Sequence, residues 1–354
     1  MTPPELEAPR RGDALKSSLM GARVAAMVSL GLRLGLYKAM KDAGRLTSAD
    51  LADRTGYNER WVREWLSGQA ASGIVVYHGE GRFEMPSDVA VLLVDRDNLD
   101  YIGHAFETMP HTFGMVDRMP EIFRTGRGLA WDDRGDWQAE RTENLFRNWY
   151  RQVLVPKALP QLDGLVSRLE SGAKVADVGC GAGLALIELA KAFPLSEYHG
   201  YETSQQALER AENNRDHAGI SSVSFHNVAD EPMPLDATFD LICTLDCLHD
   251  MTRPDEAAAA IRRAIKPDGI WFIADINCGA TVEENLENPI APMLYMNSLF
   301  SCLSSGLSEP GGAGLGTLGL PERKMKELVE RAGFTRFSRL DLPSPINAYY
   351  EARA

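Results

Sequence analysis

From Leu15 to Lys41 apolar residues recur at helical spacing with few polar interruptions, which predicts a helix apolar on several faces that must be buried. The next stretch, "LTSADLADRTGYNERWVREWLSGQAASGIV", carries two helix starts. Thr47 or Ser48 caps the first, which stops at Gly56; Asn58 caps the second, which runs to about Ser72 with Gly73 past its end. "IVVYHGEGRFEMPS" then alternates around a Gly-Glu-Gly turn, a hairpin pattern. Residues 99–170 read as helical connectors rich in aromatic side chains. From Lys174 the period alternates. "KVADVG", "EYHGYET", "VSFHNVAD", "FDLICTLDCLHD" and "GIWFIADI" read as strands, and "GLALIELAKAF", "QQALERAENNRDHAG" and "PDEAAAAIRRAIK" as helices between them. A long apolar, Met-rich insertion follows the fifth strand, and a last helix with two strands closes the chain.

Strand–helix repetition of this kind implies a mostly parallel sheet covered on both faces, so the fold class is α/β with a Rossmann-like sheet of seven strands. The helix–turn–helix and hairpin ahead of it make a mainly helical winged-helix domain. The expected division is a flexible tail over 1–14, the winged-helix domain over 15–98, a helical connector or lid over 99–170, and the α/β domain over 171–354 with an insertion at about 280–316. A winged helix raises DNA binding. In "NERWVREWLSGQ" the charges of Glu59, Arg60, Arg63 and Glu64 cancel, and Trp61, Val62, Trp65 and Leu66 fall at core spacing, which favours a structural or dimerising role.

The bulk numbers agree. A chain of 354 residues suggests two domains, and a net charge of −13 argues against a large nucleic-acid surface. The five cysteines include no C-x-x-C pair, the first residues lack the apolar core of a signal peptide, and no run of about 20 apolar residues suggests a membrane span, so the cytoplasm is the expected location.

The candidate chemistry begins at "VADVGCGAG", residues 175–183. Gly179 and Gly181 let the backbone turn sharply and approach a ligand, as in a phosphate-binding turn. The dinucleotide fingerprint would place its third glycine at residue 184, which is Leu, and a carboxylate, Asp177, stands before the first glycine. That carboxylate repels a pyrophosphate and attracts an ammonium or sulfonium group. Glu202 ends the second strand and suits a vicinal diol. Asp230 follows the third strand and suits an adenine amino group. Each acid taken alone could equally cap a helix; together they describe a ligand with amine, ribose and adenine and no phosphate.

Residues 174–275, and "DVGCGAG" above all, resemble class I S-adenosylmethionine-dependent methyltransferases. "LGLYKAM" and "SADLADRTGYNERWVREWL" resemble the winged-helix dimerisation domain of small-molecule O-methyltransferases, and the two-domain pattern is similar to that of a group of actinobacterial methyltransferases. The resemblance implies S-adenosylmethionine as cofactor. Asp177, Gly179, Cys180 and Gly181 would line its methionine and ribose part, Glu202 hold the ribose hydroxyls, and Asp230 with Glu231 meet the adenine. Leu245 and Asp246 would flank the carboxy-propyl tail, and Tyr150 would close over the cofactor. It also implies a homodimer.

Methyl transfer to a hydroxyl needs a group to take its proton, and histidine titrates in the useful range. His249, in "LDCLHDM", follows the fourth strand, and plant-type O-methyltransferases have a similar His-Asp pair there in which the His is the base. By that resemblance His249 is the catalytic residue, with Asp250 as its orienter; alternatively it is a loop residue that only contacts the acceptor. No metal ligand set is expected. The Met-rich insertion suits a small, largely apolar acceptor, or a second subunit. The rival function is a transcription regulator whose methyltransferase fold senses a ligand.

Overall fold

The computed structural model describes residues 11–354, so residues 1–10 of the expected tail lie outside the described residues. The chain divides into two units, the first ending at Gly114 and the second running Met115–Ala354.

The first unit holds α1 (Arg11–Arg33), α2 (Leu36–Met40), β1 (Leu46–Thr47), α3 (Ser48–Thr55), α4 (Glu59–Ala71), β2 (Val76–Tyr77), β3 (Arg82–Glu84), α5 (Ser87–Leu93) and α6 (Gly103–Gly114). Residues 11–14, which the polar pattern assigns to the tail, belong to α1. The single helix drawn to Lys41 is interrupted at Gly35, whose φ of 68° is left-handed. Thr47 closes a reciprocal cap with Asp50 at the start of α3, and Gly56 ends that helix with φ 74°. The Asn58 side chain accepts from the Arg60 N–H at 3.0 Å at the start of α4. The three short strands pair antiparallel in the order β1-β3-β2 and form the wing. Helix α4 buries Val62, Trp65, Leu66 and Gln69 against Val28, Tyr37 and Leu51. Its cations are already paired along the helix, Arg60 with Glu64 at 2.5 Å and Arg63 with Glu59 at 3.5 Å.

The second unit begins with α7 (Met119–Thr125), α8 (Trp137–Trp149), a π-helical stretch Tyr150–Ala158 and α9 (Leu165–Ser171). The alternation follows as β4 (Lys174–Val178), α10 (Leu184–Ala192), β5 (Glu197–Glu202), α11 (Gln205–Ala218), β6 (Val223–Asn227), β7 (Phe239–Leu245), α12 (Pro254–Ala264) and β8 (Ile265–Ile276). The insertion is helical, with α13 (Val282–Leu286), α14 (Ala291–Asn297), a π-turn Ser298–Cys302 and α15 (Leu303–Gly306); α16 (Glu322–Arg331), β9 (Arg336–Arg339) and β10 (Asn347–Arg353) complete the chain.

The seven strands lie in the order β6-β5-β4-β7-β8-β10-β9, with β10 antiparallel to β8 and β9. The central strands read as nearly unbroken apolar runs because both of their faces are covered. One core packs α9 and α10 on Val175, Leu241 and Phe272, and the other packs α12 and α16 on Ile242, Trp271 and Ile273. The chain winds from β4 through β5 to β6 in one direction, then returns to β7 and winds in the other. The order therefore reverses between β4 and β7, and ligands bind at the carboxyl ends of the strands beside such a reversal.

Gly183 shows how tightly the turn after β4 is built. Its φ is 73°, and a Cβ there would stand 2.3 Å from the Phe225 ring. Gly183→Ala is expected to cost the left-handed penalty of roughly 1–2 kcal/mol and an overpacking penalty of about 1–3 kcal/mol. Urea unfolding measures the sum, and an unchanged midpoint would contradict the packing.

Candidate active site

Four strands, β4, β5, β7 and β8, deliver chemistry to the same end of the sheet. Asp177 is the fourth residue of β4, and the turn after that strand has left-handed φ at Gly179 (76°), Gly181 (53°) and Gly183 (73°). The turn is held by the carbonyl of Tyr201, which accepts from the N–H groups of Gly179 (2.8 Å) and Cys180 (3.2 Å). A Cβ on Gly179 would meet Cys247 Sγ at 2.9 Å, whereas one on Gly181 would meet nothing within 4 Å. The turn is thus packed against protein on one side and open at Gly181. Cys180 is buried beneath it.

Glu202 ends β5 and clasps the turn. Its Oε2 accepts from Gly181 N–H at 2.9 Å, and its Oε1 from the N–H groups of Thr203 (2.8 Å) and Ser204 (3.0 Å). Asp177 has no such support. It is buried, and its Oδ1 has no hydrogen-bond partner among the described residues. Burial first, and then the charge of Glu202, push its carboxyl up to about 8. A buried acceptor left unpaired is costly, and a cation or a hydrogen-bond donor beside it removes the cost. These donors and acceptors fit a ligand carrying an ammonium and hydroxyls, and they oppose a pyrophosphate.

Leu245 ends β7. Asp246 follows with φ 63°, an uncommon conformation for a side-chain-bearing residue. It is fastened by its N–H to the Ala274 carbonyl at 2.7 Å and by Asn347 Nδ2 to its Oδ1 at 2.5 Å. Leu245 and Asp246 share one cleft with Tyr150, Phe146, Trp149, Ala274, Asn347 and Tyr349. The Trp149 indole stacks on Tyr349 with centroids 5.5 Å apart. Tyr150 opens the π-helical stretch, an arrangement that recurs near functional sites. Burial above all pushes its phenol well up, so it presents a neutral hydroxyl.

Asp230 and Glu231 lie on the exposed loop after β6, apart from the buried group. The Glu231 carboxylate is 2.9 Å from His226 Nδ1, and that contact draws its titration down.

His249 sits in a short turn Leu248–Asp250 just past β7, almost wholly buried. Its Nδ1 lies 2.7 Å from Asp275 Oδ1, on the neighbouring strand β8. The hydrogen-bond partner of His249 is therefore Asp275 and not the expected Asp250, because the pairing of β7 with β8 brings the Asp275 carboxylate against the imidazole. Burial alone would lower the imidazole's pKa, but Asp275 and the nearby Cys302 outweigh it and raise it well above the ordinary value. Asp250 is buried too, and burial pushes its carboxyl up to about 7 against the attraction of His249 and Arg134.

The connector and the insertion wall this region. Arg134 is buried and donates to Ser301 Oγ (3.2 Å) and the Leu129 carbonyl (2.7 Å), and Arg141 donates to Asn297 Oδ1 (3.0 Å). Asp132 accepts from the Gln205 N–H at 2.9 Å at the start of α11. Glu143 takes Arg210 through two nitrogens at 2.9 and 2.7 Å, which ties α8 to α11. Asp275 and Cys302 were not singled out from the sequence. The one available signal is a lone acid in the apolar run "IWFIADI"; for Cys302 there is none.

Residues 169–316 match a family profile described as a methyltransferase domain, and residues 22–95 one described as an Rv2258c-like winged HTH domain. Among curated proteins, the methyltransferase sll0829 of Synechocystis is 30% identical over 157 residues, which span 38% of this chain and 68% of that one. The ubiquinone biosynthesis O-methyltransferase of Leptothrix cholodnii is 25% identical over 150 residues, 42% of this chain. The matched stretch spans only about half the length of such ubiquinone-biosynthesis relatives, 57% of this one and 45% of that from Methylococcus capsulatus. Among solved structures, an O-methyltransferase family protein from Burkholderia thailandensis superposes with TM-score 0.71 at 16% identity over 98% of both chains. Human N-acetylserotonin methyltransferase in complex with SAM gives 0.69 at 16% identity, over 98% of this chain and 99% of that one. The fold and site define a class I methyltransferase. The chain belongs to the S-adenosylmethionine-dependent methyltransferases, with a winged HTH domain at its N-terminal end.

The orphan carboxylate has a measurable signature. Asp177 titrates at about 8 in the folded chain against 3.8 as its ordinary value, so the folded state holds the extra proton between those limits. Stability then falls as pH rises through that window, by at most about 1.4 kcal/mol per pH unit, and levels off above it. Asp177→Asn removes the dependence. Urea unfolding without ligand should show the variant gaining on the wild type from pH 5 to pH 8; parallel profiles would contradict the burial of this charge.

Proposed function

We propose that this chain methylates a hydroxyl oxygen of a small acceptor with a largely apolar body, working as a cytoplasmic homodimer joined through its N-terminal domain. The observation that carries the reading is the buried His249–Asp275 pair at the carboxyl ends of β7 and β8, the same end of the sheet as the unpaired carboxylate of Asp177 on β4. S-adenosylmethionine, when bound, supplies a methyl group already activated on a sulfonium centre. Asp177 faces its ammonium, Glu202 accepts from the ribose hydroxyls, and Gly179, Cys180 and Gly181 leave room for the backbone to approach. Leu245, Asp246 and Tyr150 take the carboxy-propyl end, and Asp230 with Glu231 the adenine. The domain limits follow, with winged helix over 15–98, connector over 99–170, and methyltransferase domain over 171–354.

The remaining task is to align the acceptor and remove its proton. Alignment alone can supply ~7–11 kcal/mol of the barrier. Asp275 fixes the imidazole by its Nδ1–H, so Nε2 is the nitrogen that accepts a proton. Exposed apolar residues along α1 (Leu15, Leu19, Met20 and Leu30) support a partner-covered helix. No helix among the described residues is long and apolar enough to cross a membrane.

Calorimetry tests the cofactor assignment. Asp177→Ala and Glu202→Ala should each weaken S-adenosylmethionine binding. Wild-type binding at pH 7 should also release a proton, read from its dependence on buffer ionisation enthalpy, because the ammonium favours the ionised Asp177. Unchanged affinity in both variants would remove the assignment.

With an acceptor from a labelled-methyl screen, His249→Ala should lower turnover by ~10²–10⁴-fold, the usual contribution of a general base. The rate should rise with pH until the imidazole loses its extra proton, on a limb above the ordinary histidine range. Asp275→Asn removes the charge that holds the proton, so the limb should move to lower pH. A pH-independent rate in wild type, or full turnover in His249→Ala, would sink the base role.

A further inference from the structure

The connector brings two arginines to the wall near His249, and neither meets a carboxylate at ion-pair distance among the described residues. Arg134, 5% exposed, spends its two terminal nitrogens on Ser301 Oγ and the Leu129 carbonyl, and its Nε is buried with no partner. Arg141, half-buried on α8, donates through Nη2 to Asn297 Oδ1 at 3.0 Å, and its other N–H groups have no acceptor among the described residues. Both guanidinium groups lie within electrostatic reach of Cys302, and Arg134 feels the charge of Arg141. The Cys302 side chain in turn hydrogen-bonds His249. Two cations are therefore gathered on the side of the chamber where the imidazole sits.

We infer that the acceptor is a hydroxy acid, whose carboxylate is received by Arg141 with Arg134 behind it while the hydroxyl to be methylated faces His249. The inference rests on the methyl-transfer reading and names the acceptor class for it. A guanidinium presents its N–H groups as a planar fork that matches a carboxylate, and such charge-assisted bonds are about twice as strong as neutral ones. Arg141 is thus a specificity-determining residue. Anchoring the acid at one point and the apolar body along the wall leaves the hydroxyl little freedom, which is the alignment that methyl transfer needs.

The charge balance calls for an anion. Burial lowers the pKa of both arginines, yet a guanidinium stays protonated in proteins. The acids within reach do not neutralise them: burial pushes the carboxyls of Asp246 and Asp250 up, Asp246 is engaged by Asn347, and Asp275 is engaged by His249. A desolvated cation without a counter-charge is costly, and an anionic ligand removes that cost. Arg141 is in this sense the counterpart of Asp177, which lacks a partner of the opposite sign. The cofactor carries a carboxylate of its own. The acceptor is preferred because both arginines are fastened to the insertion, at Asn297 and Ser301, beside the thiol that touches His249.

The test is equilibrium binding to the full-length chain saturated with S-adenosylhomocysteine, using hydroxybenzoates, hydroxycinnamates and hydroxynaphthoates, each beside its neutral amide. Binding is read by calorimetry and needs no turnover, so a failure of methyl transfer and a failure of this inference are separate results. Wild type should bind at least one acid tighter than its amide by roughly 10–100-fold, the range for a charge-assisted hydrogen bond. Arg141→Gln should abolish that preference, and Arg141→Lys, which keeps the charge without the fork, should restore part of it. Affinity of Arg141→Gln for S-adenosylmethionine should match the wild type, which also reports that the variant is folded. Wild-type protein that binds no acid better than its amide overturns the inference without recourse to a variant. So does an Arg141→Gln protein that loses affinity for S-adenosylmethionine while keeping the acid preference, since the carboxylate received would then be the cofactor's.

Discussion

A buried carboxylate without a partner is the constraint around which the methyltransferase domain is arranged. Asp177 lies in the middle of the sheet, where desolvation penalises its charge and Glu202 penalises it further. A fold tolerates such a group when the surrounding structure is stable enough to hold it in place. Here that structure is two cores, one on each face of the sheet, together with a glycine turn fastened by the Tyr201 carbonyl and by Glu202. The strand order places the turn where the winding reverses, so a ligand reaches Asp177 at an edge that no crossover helix covers.

The two acids on the turn divide the work. Glu202 is satisfied by three backbone N–H groups and is rigid, so it shapes the turn whether or not a ligand is present. Asp177 is unsatisfied and supplies the drive for a positively charged ligand. A pyrophosphate would face both. The departure of "DVGCGAG" from the dinucleotide spacing is therefore an electrostatic choice as well as a geometric one.

What the sequence showed of this protein is what local physics controls. The caps at Thr47 and Asn58, the left-handed glycine at Gly56, the alternation from Lys174 and the acids that end β4 and β5 are all readable within a few residues. Gly35 was read as part of one long helix because a glycine within an apolar pattern does not announce that its φ is positive. The partner of His249 was out of reach for another reason. Asp275 is 26 residues away and meets the imidazole only because β8 lies beside β7, while Cys302 arrives on an insertion whose path depends on packing. Sequence adjacency pointed to Asp250; sheet adjacency selected Asp275.

The same distinction separates the two halves of the chain. Helix α4 has the sequence position of a recognition helix, yet its apolar residues are spent on the core of its own unit and its arginines on glutamates one turn away. Phosphate neutralisation needs cations that are free to displace counterions, and exposed pairs at this spacing are already compensated. What α4 does leave outside is Trp61, 78% exposed. The carboxylates and the imidazole of the candidate site lie instead at the carboxyl ends of β4, β5, β7 and β8.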